Sequence, residues 1–343
     1  MKFLIAGLGS IGRRHLRNLL ALGEKDIILL RTFRSTLPES DLAGFPVETD
    51  LSAALDHKPT AVIVANPTAL HLDIAIPAAA TGCHLLLEKP ISHNLKGVED
   101  LVAAAGAGGA RVLVGFQYRF HPGLILVKQA LAGGLIGRPL SFRSVYAEYL
   151  PGMHPWEDYK MSYSARPELG GGVVLTLCHP LDYLQWLMGE AESVQAYIDT
   201  LNEFGLNVED TAEISLRFMN GAIGSVHLDY SRLPPEHHLE ISGTKGTLYW
   251  NHNQAAARIY RVERKEWEDL SNLPESNPDK PYERNDMFLA EMRHFLDVIA
   301  EKTEPRCTLE DGIRALGLSL AALEAGKSGC KIQINASNWL HLA

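Results

Sequence analysis

Five short runs in the first third of the chain, at residues 3–6, 27–30, 61–64, 84–87 and 112–114, are almost wholly apolar. A strand reads this way when both of its faces are covered, as in a parallel sheet flanked by helices. Between the runs, residues 11–22, 69–81 and 95–105 space Leu, Ala and Ile at helical intervals. After Tyr118 the pattern changes. Ala212, Ile214, Leu216 and Phe218 alternate with Glu213, Ser215 and Arg217, Asn220-Gly221 supplies a two-residue turn, and residues 222–230 return as the partner strand. Further strands are predicted at 140–148, 194–198, 239–242, 247–250 and 258–262, and helices at 173–188, 285–301 and 309–325. The Pro-, Asn- and charge-rich stretch 273–282 reads as an exposed loop. The expectation is two domains: an α/β domain over residues 1–118 with a parallel sheet, then an α+β domain over 119–343 with a large, mainly antiparallel open sheet.

Composition narrows the function. Hydrophobic residues make up 46% of the 343 and charged residues 21%, which fits a folded globular protein. Lys and Arg total 32 against 41 for Asp and Glu, a formal charge of -9 that opposes binding to a nucleic-acid backbone. No apolar stretch approaches the roughly 20 residues of a bilayer span. The first apolar run is broken by Gly7, Gly9 and Gly12 and followed by Arg13-Arg14-His15, so it reads as a buried strand rather than a signal peptide. Cys83, Cys178, Cys307 and Cys330 form no C-x-x-C pair, which points away from zinc knuckles and disulfide frameworks and towards a cytoplasmic protein. No histidine pair has carboxylate companions at ligand spacing, so no metal site is expected.

Gly7-Leu8-Gly9-Ser10-Ile11-Gly12 lies directly after the first strand and opens the first helix, the context in which G-x-G-x-x-G binds a dinucleotide. Gly7 permits a tight turn, Gly9 lets backbone approach a pyrophosphate, and Gly12 lets helix and strand pack closely. The first domain is therefore expected to be of the Rossmann type. The end of the second strand, Leu30-Arg31-Thr32-Phe33-Arg34-Ser35, carries no carboxylate for a ribose 2′-hydroxyl. Arg31, Thr32 and Arg34 suit a 2′-phosphate instead, which favours NADP(H) over NAD(H).

Three further stretches carry a resemblance: Asn66-Pro67-Thr68-Ala69-Leu70-His71, Glu88-Lys89-Pro90, and Gly170-Gly171-Gly172 followed by His179 and Asp182. In order and spacing the chain resembles the Gfo/Idh/MocA family of oxidoreductases. The resemblance implies a nicotinamide-binding domain and a substrate domain whose open sheet makes homodimer or homotetramer contacts. It assigns Asn66, Pro67, Thr68, His71, Glu88 and Lys89 to the cofactor side, and gives Lys89 a second role between nicotinamide and the reacting hydroxyl. A cation there stabilises alkoxide character as hydride departs. His179 is expected to carry the alcohol proton, with Asp182 on the same helical face. Many relatives place an aspartate one turn before the histidine, where this chain has Leu175 and Thr176.

A polar and aromatic segment holds Tyr118, Arg119, His121, Tyr149, Trp156, Tyr159 and Arg166, and with Thr176 and Asp182 it is assigned to substrate. Aromatic faces with hydrogen-bonding tips suit a polyhydroxylated ring. The expected activity is hydride transfer between NAD(P) and a carbinol or carbonyl carbon of a sugar derivative. Alternatives are a catalytically weak NAD(P)-binding sensor or scaffold, and a reductase of a non-sugar carbonyl, dihydrodiol or imine.

Overall fold

The computed structural model describes residues 1–32, 37, 42–270 and 282–334. Six strands, β1 (Lys2–Ala6), β2 (Asp26–Leu30), β3 (Val47–Glu48), β4 (Ala61–Val64), β5 (His84–Glu88) and β6 (Val112–Gly115), form a parallel sheet in the order β3-β2-β1-β4-β5-β6. Ala6 pairs with Leu30 on one side and Val64 on the other. Every residue of β4 is buried, as its apolar run requires. Helices α1 (Ser10–Ala21), α2 (Leu51–Asp56), α3 (His71–Ala80) and α4 (Val98–Gly108) alternate with these strands. The strand order reverses between β1 and β4, the switch point at which such sheets open a crevice.

The second sheet has nine strands: β7 (Pro139–Tyr149), β8 (Ala191–Asp199), β9 (Thr211–Phe218), β10 (Ile223–Asp229), β11 (Ser231–Gly243), β12 (Gly246–Asn251), β13 (Ala257–Arg261), β14 (Glu266–Asp269) and β15 (Ile332–Gln333). Their order is β14-β13-β12-β11-β7-β10-β9-β8-β15, antiparallel except for the parallel pair β7 and β10. Alternation decides which face is covered. Ala212, Ile214 and Leu216 are buried while Glu213, Ser215 and Arg217 are exposed. The remaining helices are α5 (Pro122–Ala132), α6 (Leu150–Met153), α7 (Val173–Thr176), α8 (His179–Met188), α9 (Arg284–Ile299) and α10 (Leu309–Ser328). α5, α8 and α10 pack on the covered face.

One predicted helix is wrong as drawn. Residues 173–188 form α7 and α8, separated at Leu177 and Cys178. The cause is Pro180, which has no N–H to donate to the carbonyl four residues back, that of Thr176. The predicted loop at 273–282 falls, except for Tyr282, outside the described residues. After the second sheet the chain returns to the first: α9 lies along α1, and α10 packs on β6. A side chain at Gly312 would come within 2.7 Å of Ile91 and 2.9 Å of Val114, so this glycine allows α10 to sit directly on the first sheet.

Candidate active site

The glycine turn shows why each of its glycines is needed. Gly7 has φ +94°, and a Cβ there would lie 2.5 Å from the Asn66 nitrogen. A Cβ on Gly12 would fall 1.9 Å from the Gly7 oxygen, whereas one on Gly9 would meet nothing within 4 Å. Gly7 and Gly12 thus hold strand and helix together, and Gly9 faces open space. The first turn of α1, with Ser10, Ile11 and Gly12, has no side-chain cap and no acidic residue, so its N–H groups and the positive helix end are available to an anion. The Asn66 amide oxygen, beside this turn, is buried without a partner among the described residues. These features fit a dinucleotide pyrophosphate. At the end of β2, Arg31 is buried and its backbone N–H donates to Glu48, Thr32 is exposed, and Arg34 lies outside the described residues.

The motif after β5 is held by buried polar contacts. One Glu88 oxygen lies 2.7 Å from His15 Nε2 of α1, and the other accepts the Lys89 backbone N–H at 3.2 Å. Burial would raise the Glu88 pKa, but the His15 hydrogen bond and charge override it and keep the carboxylate ionised. His71 spans two loops, its ring nitrogens each 2.9 Å from the carbonyls of Pro90 and Asn66. Pro67 precedes a short 3₁₀ turn, Thr68–Leu70, in which Thr68 is buried. Glu88, His71 and Thr68 are all buried, and the first two tie these loops together.

Lys89 Nζ donates to the Thr176 carbonyl at 2.7 Å. That carbonyl is the one Pro180 leaves without a helical donor. Burial works against the Lys89 charge, but Tyr163, Cys178 and Glu88 outweigh it, and the ammonium is favoured. His179 opens α8, within one turn of Thr176, and is 2% exposed. Burial first, then the charges of Lys89 and Arg284, hold its pKa well below the usual histidine value. The ring is neutral. The Gln117 amide nitrogen lies 3.2 Å from Nε2, an arrangement in which Nε2 accepts, and the Tyr118 ring stands edge-on at 4.7 Å. The structure thus brings Lys89, Thr176, His179 and Tyr118 together.

Other sequence-assigned residues are committed elsewhere. Asp182 does not join His179. It pairs with Arg119 at 2.7 Å, where Arg119 also reaches Asp311 at 3.1 Å, and both members of the first pair are buried. Arg119 and Asp182, both assigned to substrate by the sequence, are joined here in an ion pair across 63 positions. His121 is likewise engaged: its Nδ1 accepts from Gly123 N and Trp250 Nε1, both at 3.1 Å, and its Nε2 lies 3.0 Å from the His252 carbonyl. Burial lowers its pKa to about 3. Arg166 pairs with Glu168, Tyr159 donates to the Phe204 carbonyl at 3.1 Å, Tyr149 packs edge-on to Phe204, and Trp156 is exposed beside His154. Gln117, His15 and Arg284 escaped the sequence reading. His15 had a signal, lying on the buried face of α1 three residues after Gly12.

Residues 1–116 match the family described as oxidoreductases with an NAD-binding Rossmann fold, and residues 124–249 match the GFO/IDH/MocA C-terminal domain. The chain belongs to the GFO/IDH/MocA family. A 1,5-anhydro-D-fructose reductase of Ensifer adhaerens is 28% identical over 80% of this chain and 79% of its own length. A myo-inositol 2-dehydrogenase of Thermotoga maritima is 26% identical over 94% of this chain and 95% of its own. Among solved structures, the WlbA dehydrogenase of Bordetella pertussis in complex with NADH and UDP-GlcNAcA superposes with a TM-score of 0.82 at 26% identity, covering 98% of both chains. As a GFO/IDH/MocA member the chain is an NAD-binding oxidoreductase, and the open turn at Gly9 is where the residues suit the dinucleotide. No helix among the described residues is long and apolar enough to cross a membrane.

Proposed function

We propose that this oxidoreductase interconverts a carbinol and a carbonyl carbon on a sugar or cyclitol. The reading is carried by one observation: the Lys89 ammonium is tied to the turn immediately before the His179 imidazole, at the carboxyl end of the sheet that holds the glycine turn. When bound, nicotinamide supplies the acceptor or donor of hydride. The chain supplies the rest. Once the substrate hydroxyl takes the place of the Gln117 amide at Nε2, neutral His179 takes the alcohol proton there during oxidation and returns it during reduction. Lys89 places a positive charge where the substrate oxygen becomes negative. Glu88, fixed by His15, holds the Lys89 backbone through its N–H. Thr176 contributes its carbonyl, so no carboxylate is needed at this position to orient the lysine. Relatives named for an anhydrohexose and for inositol support a polyhydroxylated substrate.

Lys89→Ala and His179→Ala are each expected to lower kcat/KM by about 100- to 10,000-fold while leaving the thermal midpoint close to that of the parent. Near-normal turnover in both variants would remove the assignment. NADP(H) is the preferred cofactor in this reading, because β2 ends at Leu30 and is followed by Arg31 and Thr32, with no acidic residue there. Fluorescence titration should show tighter binding of NADPH than NADH, with the preference reduced by Arg31→Ala and Arg34→Ala. Equal or better NADH binding by the parent would contradict it. The chain also self-associates in this reading, through the open face of the nine-stranded sheet.

A further inference from the structure

His179 stands at the very start of α8, and the break at Leu177 and Cys178 separates it from α7. Its Nε2 meets the Gln117 amide, and its Nδ1 has no partner among the described residues. Packing must therefore place the ring. Of its aromatic neighbours Tyr118 is nearest, edge-on at 4.7 Å, against 5.7 Å for Phe116 and 6.1 Å for Tyr146. Tyr118 meets a second histidine in the same way: the His237 ring is also at 4.7 Å and steeply inclined to it.

His237 lies on β11 directly across from Tyr146 of β7, and these two rings stack at 4.0 Å with 10° between their planes. It is buried. Burial first, then the neighbouring imidazoles, hold its pKa well below the ordinary histidine value, so the ring is neutral. Its Nε2 lies 3.2 Å from the Tyr183 hydroxyl, that hydroxyl lies 2.5 Å from Ser144 Oγ, and Ser144 donates to the His238 carbonyl at 3.4 Å. A carbonyl can only accept. The chain thus runs one way: His237 Nε2 donates to Tyr183, Tyr183 to Ser144, and Ser144 to the strand. His237 Nδ1 has no partner among the described residues, so the bond to Tyr183 is what orients this ring there.

Tyr183 sits one turn beyond His179 on the same face of α8. The contacts therefore close on themselves: His179 to Tyr118, Tyr118 to His237, His237 to Tyr183, and Tyr183 along the helix back to His179. In a close-packed interior no ring of such a circuit moves unless the others give way, and a satisfied polar chain at its base stiffens it further. Resting on the role proposed above for His179, we propose that His237 is a positioning residue which, through Tyr183 and Tyr118, holds the His179 imidazole so that Nε2 faces the substrate hydroxyl.

Three variants of the full chain test this. Tyr183→Phe removes only the hydroxyl, His237→Leu removes both ring nitrogens, and His237→Gln keeps an N–H able to reach Tyr183. With nitrogen-15-labelled histidine, the His179 ring signals, assigned by their loss in His179→Asn, should report a single neutral form with a bare Nε2. Tyr183→Phe and His237→Leu should split or broaden those signals, and His237→Gln should keep the parent pattern. Turnover is read with myo-inositol and oxidised dinucleotide and with 1,5-anhydro-D-fructose and reduced dinucleotide. In the first two variants kcat should fall about 10- to 100-fold, the scale of a misplacement of about 1 Å, with KM within about twofold of the parent; His237→Gln should recover part of the loss. Thermal midpoints establish that the variants are folded at the assay temperature. The proposal is overturned if the His179 signals are unchanged in both Tyr183→Phe and His237→Leu, if kcat is unchanged in both, or if His237→Gln is as impaired as His237→Leu. The ring signals require no turnover, so they decide the matter even for a protein inactive on both probes. Failure of the underlying site shows elsewhere, as retained turnover in the Lys89 and His179 variants.

Discussion

At the scale of single residues, chemistry depends on what each side chain has already been given. Asp182 and Arg119 have the types expected of substrate ligands, but they face each other in the interior and are satisfied there. Removing one member of such a pair strands the other charge, typically at several kcal/mol, so their role is to hold the fold. His179 differs because, among the described residues, its Nδ1 has no partner and no carboxylate stabilises its cation. Its pKa is depressed by burial first, so the neutral base persists as pH falls through the ordinary histidine value near 6.5. The pH profile of kcat/KM for alcohol oxidation should therefore stay flat through that value and fall only well below it. An acid limb centred near the unperturbed value would show that His179 is not the base, or that its environment is wetter than the structure indicates. The sequence identified Lys89 and His179 because short motifs surround them. It could not show that Arg119 is spent, because its partner is 63 positions away.

At the scale of elements, the break between α7 and α8 links the backbone to Lys89. A continuous helix would use the Thr176 carbonyl internally; the proline at position 180 releases it, and Lys89 Nζ takes it at 2.7 Å. Pro180→Ala should restore the competing N–H, join the two helices and weaken the hold on Lys89. The expected outcome is a lower kcat with a thermal midpoint close to that of the parent, since Pro180 lies in the first turn of α8, where proline is tolerated. Unchanged kcat in a protein with a continuous helix would show that the freed carbonyl does not matter. The break was legible in the sequence, because Pro180 was there to be read, but apolar periodicity on both sides of it masked the interruption. The predicted strands fared better. β1, β4, β5 and β9 lie where continuous or alternating apolar patterns put them, whereas β3 and β15, two residues each, are too short to carry any period.

At the scale of the whole molecule, the nine-stranded sheet has one face covered by helices and the other bare, with Ile223 48% exposed at the start of β10 beside Arg217. If copies of the chain meet there, sedimentation should show an assembly larger than one chain. Ile223→Glu should lower its mass without changing the unfolding transition, and an unaltered mass would place the contact elsewhere. By itself the sequence determined which segments are strands and helices, and that a glycine turn after the first strand opens a helix of an NAD-binding Rossmann domain. These are local matters: period, turn geometry and short spacing are set by neighbours along the chain. The tertiary structure decided which charged groups are consumed by one another and which carbonyl Lys89 finds. Pairing across long sequence separations depends on how the sheets stack and where the last helices return, and no period along the chain encodes that.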